Sequence, residues 1–145
     1  MPIVGMNFNS ITANIYPDKK VEGNININST PTIEKVEKKD LGMSNLKDVV
    51  AIKFRFDIFY NPEKGPKIGE INLQGEILYA SEKSKTIIEK WEKSKKLDEE
   101  VAVEVMNTIF RRCLTEGIVL SDELRLPPPI RFPLVKPKEE NEYTG

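Results

Sequence analysis

The chain has 145 residues, 39% hydrophobic and 31% charged, with 22 basic against 23 acidic side chains, one cysteine and no histidine. Enough apolar side chain is present to offset chain entropy in one core, which excludes wholesale disorder, and a net charge of −1 offers no pull toward phosphate backbones or anionic lipid. Without imidazole there can be no Ser-His or Cys-His nucleophile, His-ligated zinc or His general base, and lone Cys113 can neither close an internal disulfide nor build a thiolate cluster.

In chain order, Met6–Asn9 and Asn24–Asn28 alternate apolar and polar residues at period two, as half-buried strands do. Tyr16-Pro17-Asp18 reads as a turn, and a turn-rich or irregular stretch is expected from about Pro31 through Gly42. The strongest pattern follows. Val50, Ile52, Phe54, Phe56, Ile58 and Tyr60 alternate with Lys53, Arg55 and Asp57; after Asn61–Lys67 the alternation resumes at Ile71, Leu73, Gly75, Ile77 and Tyr79. That predicts a β-hairpin with one face on the core and one in water. Gly75 stands where a core side chain is expected, so the sheet bends there or another backbone packs against it.

The period changes after Ala80. Ser81 is a candidate cap for a helix carrying Ile87, Ile88 and Trp91, and Asp98 for a second helix with Glu99 and Glu100 at its positive end. The second helix presents Val101, Val105, Met106, Ile109, Phe110, Cys113 and Leu114 on a broad stripe, with Gly117 as its stop. Leu126–Val135 is an apolar, proline-stiffened strap, and Lys136–Gly145 a polar tail. Strands first and helices second make an α+β fold, an antiparallel sheet of about four strands with helices packed on one side, in a single domain over residues 1–135. The chain has no run of about 18 apolar residues and no basic-then-apolar leader, which gives the expectation of a cytoplasmic protein that does not insert into a membrane. Abundant Lys, Glu and Ile with a single glutamine fits a heat-adapted source and AT-biased codons equally well.

Motifs for chemistry are weak. Ser44-Asn45-Leu46-Lys47 fits Ser-x-x-Lys but lacks companion motifs. Asp57, Glu70 and Glu76 could pair as acid and base, but as residues of a polar strand face they simply meet water. Asn28-Ser29-Thr30 is a glycosylation sequon without a secretory context. No glycine-rich phosphate loop occurs, and the alternation puts Phe54 and Phe56 on the face opposite Lys53 and Arg55, so no base-stacking platform forms. The strap reads either as a polyproline ligand or, given its interleaved Leu, Ile, Phe and Val, as cover for apolar surface. The expectation is a protein without catalytic residues, metal, cofactor or nucleic-acid partner, whose resource is apolar surface.

Two patterns resemble the SecB family of export chaperones. Glu70-Ile71-Asn72-Leu73-Gln74-Gly75-Glu76-Ile77 is similar to the family's strand motif of Glu, an aliphatic residue, glycine five after the Glu and an apolar residue two further on. Arg112-Cys113-Leu114 through Gly117, followed by Leu124-Arg125-Leu126-Pro127-Pro128, is similar to the end of its main helix and the leucine-proline segment beyond. The resemblance spans about residues 5–135. It implies four antiparallel strands, a long helix and a homo-oligomer assembled through sheet edges and helices. It also implies ATP-independent holding of unfolded or preprotein chains in apolar grooves, with Phe8, Ile25, Ile27, Phe54, Phe56 and Ile58 as the apolar contributors. The segment Ser81–Leu97 is more charged than the family pattern, and the tail offers no docking motif for a translocation ATPase. The alternative is a structural or adaptor subunit that buries the same face against one dedicated partner.

Overall fold

The alternation at 50–79 produces the centre of the sheet. Strands β3 (Val49–Lys64) and β4 (Gly69–Ala80) pair antiparallel as one hairpin, with Phe54 opposite Gly75, Phe56 opposite Leu73 and Ile58 opposite Ile71. In the computed structural model, which describes residues 3–16, 22–40, 48–133 and 135, two further strands flank this hairpin. Strand β1 (Ile3–Ile15) pairs with β4 and β2 (Glu22–Lys39) with β3, giving an all-antiparallel order β1-β4-β3-β2. The first two strands of the sequence thus form opposite edges.

The expected irregular stretch at Pro31 is instead continuous strand, since β2 runs 18 residues to Lys39. Its edge position explains the difference: an edge strand leaves half of its N–H groups without a ladder partner, so a proline that lacks one is tolerated. Of the irregularity expected past Pro31, a register shift between Ile33 and Lys35 is what β2 shows. The turn at Pro17-Asp18, the Ser44–Lys47 motif, Leu41-Gly42 and the tail from Lys136 lie outside the described residues.

Gly75 marks a close backbone approach. A Cβ there would stand 2.7 Å from Phe54 Cζ, and the Asn7 carbonyl oxygen is closer still. Beside it, β1 shifts register between Phe8 and Ser10.

Both helices pack on the face bearing Ile52, Phe54, Phe56 and Ile58. Ser81 does not cap helix α1 (Ser84–Ser94); its hydroxyl accepts the Lys83 N–H at 3.1 Å in the turn before it. Ile87 and Trp91 are the buried side of α1. Helix α2 (Glu99–Glu123) starts at Asp98, whose carboxylate makes no cap bond and pairs with Lys90 at 2.6 Å. Its buried residues fall every fourth position: Val101, Val105, Ile109, Cys113, Gly117 and Ser121. A four-residue spacing slightly exceeds the helical period, so the buried line winds slowly around α2 as it crosses the twisted strands.

Gly117 does not end the helix. It sits within α2, where glycine costs about 0.5–1 kcal/mol relative to alanine. A Cβ there would lie 2.7 Å from Ile58 Cδ1, so the glycine lets α2 settle onto β3. The helix runs six residues further, to Glu123, is capped at Leu124, and is followed by Arg125 in the left-handed conformation (φ 58°).

Candidate functional site

One helix is too narrow for four strands. The sheet is roughly 14 Å across at three strand spacings, whereas an α-helix with its side chains covers about 10–12 Å. Helix α2 takes the middle, where Phe110 meets Phe56 edge-on at 5.7 Å and Gly117 seats on Ile58. Short α1 covers the far end of β2 and β3 around Val36 and Ile52. Two apolar flanks remain. On the β1 side, Ile11 and Ile15 lie on the helical face of the sheet and stay exposed, while Phe8 is half-buried. Phe8 is held by an edge contact to Phe54 at 6.3 Å and by the Arg112 guanidinium at 5.9 Å from its ring centre. On the β2 side, Ile25 and Ile27 are half-buried opposite Pro62 and Tyr60.

The residues expected to supply apolar surface therefore separate into two sets. Phe54, Phe56 and Ile58 are wholly enclosed beneath α2 and form the floor of the core. Phe8, Ile25 and Ile27 stand at its margins with part of their surface in water.

The margin on the hairpin-loop side is closed by the strap. Leu126 is buried over Gly69, at whose missing Cβ its methyls stand 3.0 and 3.2 Å away, and its N–H bonds the Ser121 carbonyl at 2.8 Å. The buried Tyr60 hydroxyl donates to the Pro127 carbonyl at 2.8 Å; burial pushes its pKa up, so the donor proton is retained. Pro129 rests beside Gly117. Beyond it the strap rises off the domain. Ile130 is 38% and Phe132 48% exposed. Between this part and the last turns of α2 lies a cavity of about 490 Å³ lined by Ile118, Val119, Ser121, Asp122, Glu123, Leu126, Pro128 and Phe132. A second, of about 510 Å³, lies against Pro128, Ile130, Arg131 and Phe132. Both fall in the size range of ligand clefts.

Of the two strap readings, cover for apolar surface holds at the root. The outer half of the strap presents apolar side chains to solvent. Ile130, Phe132 and Val119 were not among the residues expected to bind. Their signal was present, since Val119 departs from the four-residue line of buried positions on α2 and Phe132 follows three prolines that fix its carriage.

The open face of the sheet is polar and internally neutralised. Glu37 bridges Lys35 and Lys53 at 3.1 and 3.2 Å, and Lys39 reaches Glu76 at 3.6 Å. Glu70 accepts from Lys67 and, at 3.0 Å, from the Tyr16 hydroxyl; the Lys67 bond chiefly holds its carboxyl below the ordinary range. Asp57 departs from the expected solvated residue, being only 8% exposed. Arg55 Nε donates to both of its oxygens (3.1 and 3.0 Å) and Asn72 Nδ2 to one (2.7 Å). Each of these four carboxylates is matched to a donor, so no pair among them is left poised to share a proton. Among the described residues no group of three His, Cys, Asp or Glu side chains could hold a metal. Burial pushes the Cys113 thiol up to about 12, which leaves it an unreactive core residue. No helix among the described residues is long and apolar enough to cross a membrane.

No family model and no curated protein matches the chain. Among solved structures it is similar to the SecB-like chaperone Rv1957 of Mycobacterium tuberculosis, solved with a ChAD peptide from the Rv1956 HigA1 antitoxin. The TM-score is 0.59 at 8% identity, over 94% of this chain and 91% of that one. The α+β fold is therefore SecB-like.

Proposed function

We propose, starting from the SecB-like fold, that this protein is an ATP-independent holdase that binds unfolded or preprotein chains in the cytoplasm through its apolar grooves. The observation that carries this is the open cleft between the end of α2 and the strap, where Val119, Phe132 and Ile130 stay exposed beside buried Leu126. Burying such surface against an unfolded segment is favourable at about 25 cal/mol per Å² and needs no reactive group. The half-buried Phe8, Ile25 and Ile27 extend the contact along the margins of the sheet, over the enclosed floor of Phe54, Phe56 and Ile58.

The two sheet edges support a homo-oligomer. Edge β2 carries Pro31, a register shift and charges at Glu34, Lys35, Glu37, Lys38 and Lys39, the usual guards against pairing with another chain. Edge β1, IVGMNFNSITANI, has no charge and no proline and exposes Val4, Ile11 and Ile15. A second copy pairing along β1 would cover it.

At molar excess and without ATP, the protein should prevent a chemically unfolded client from aggregating on dilution. If aggregation proceeds unaltered, the holdase reading is wrong. The second reading is an adaptor that holds one dedicated partner by the same surface. It is favoured by the similar Mycobacterium tuberculosis protein having been solved with a peptide from a single antitoxin. One co-purifying protein, with no suppression of general aggregation, would select it.

A further inference from the structure

We propose that the outer strap, Ile130–Pro133, is a hinged arm that closes on a bound polypeptide and sets how long it stays; this rests on the polypeptide-binding reading above. The strap is mechanically divided. Its root is fixed by Leu126 over Gly69, the Leu126 N–H to the Ser121 carbonyl, and the Tyr60 hydroxyl on the Pro127 carbonyl. Past Pro127, among the described residues, no hydrogen bond or ion pair holds the chain. Pro128 and Pro129 nevertheless fix φ near −65°, so the free portion is a stiff lever and not a slack tether.

The lever carries the features that closure needs. Phe132 already lines the 490 Å³ cleft from above and keeps half its surface in water, so it has apolar area to gain by moving down. Among the described residues, Arg131 makes no ion pair, and neither do Asp122 and Glu123 on the opposite wall. Closing the lever toward α2 brings that cation toward those carboxylates. The cleft is open on both sides of the arm, which shares Pro128 and Phe132 between the two cavities. An extended segment can therefore enter sideways beneath the arm.

The test uses the full chain and a reduced, carboxymethylated protein that cannot refold, labelled so that its anisotropy reports binding. A Phe132→Trp reporter in a Trp91→Phe background should shift its emission to the blue and lose access to acrylamide when the client binds. Phe132→Ala should fold as the wild type does, by far-UV circular dichroism, because the side chain is half exposed. It should release the client about tenfold faster, as expected for one lost aromatic anchor. Binding that leaves the reporter solvent-exposed, with release from Phe132→Ala at the wild-type rate, overturns the arm and leaves the holdase reading standing. If the wild type itself binds no unfolded polypeptide, the functional reading fails first and the arm with it.

Discussion

The two faces of the sheet are made by the same strands and obey different rules. On the helical face, Phe54, Phe56, Ile58 and Ile71 are fully enclosed and matched in shape to the point that Gly75 and Gly117 have no room for a methyl group. On the open face the neighbours of those residues form ion pairs at the sheet surface: Lys53 with Glu37 across to β2, Arg55 with Asp57 along β3, and Glu70 with Lys67 of the hairpin loop. One face specifies structure by volume and the other by charge register. Volume is the costlier property to disturb, because a cavity or a clash has no solvent to relax into.

The contrast can be broken from either side. Phe56→Ala should lower unfolding free energy by about 3–5 kcal/mol in urea titration, the cost of deleting an enclosed aromatic. Gly75→Ala should cost roughly 1–3 kcal/mol and reach furthest at the β1–β4 ladder, because the new methyl meets Asn7 and Phe54. Loss of amide-exchange protection at Asn7 and Phe8 would locate that effect. Asp57→Ala tests the exception on the open face and should cost roughly 1–2 kcal/mol, since Asn72 and Arg55 lose an enclosed acceptor. A loss equal to that of Phe56→Ala would make the open face a second core.

The smallest expected effect is a pH dependence. Lys67 holds the Glu70 carboxyl below its ordinary value, so the folded state binds that proton more weakly than the unfolded chain. The resulting stabilisation is complete above the ordinary carboxylate range and disappears as pH falls through the lowered folded value. The wild type and Glu70→Gln should therefore differ modestly at neutral pH and converge in acid, read from thermal midpoints across pH. A constant difference at every pH would show that the Lys67 pair contributes nothing through charge.

Alternation made the hairpin legible because neighbouring side chains on a strand answer to opposite environments, and the close approach at Gly75 followed from a missing side chain on the buried side. The course of β2 did not follow, because Pro31 is a breaker only where its absent N–H is needed, and edge position is a property of the whole sheet. Gly117 misled for a related reason. Glycine at a helix end and glycine beneath a crossing strand look alike until Ile58 is in place. Of the candidate site, the apolar composition of the strap was readable. Its division into a fixed root and a free arm was not, since that depends on Tyr60, Gly69 and Ser121 arriving from three different elements.

The placement of β1 has a consequence for how the chain is made. Ile3 pairs with Tyr79 and Ile15 with Gly69, so the first strand has no partner until synthesis has reached about the middle of the chain. At roughly 5–20 residues per second, synthesis leaves an uncharged, strand-forming segment waiting several seconds beside other nascent chains. Such long-range closure also slows folding once the chain is complete. A protein proposed to shelter unfolded chains thus begins its own life as a chain in need of shelter, and its yield should rise when synthesis is slowed and cooled.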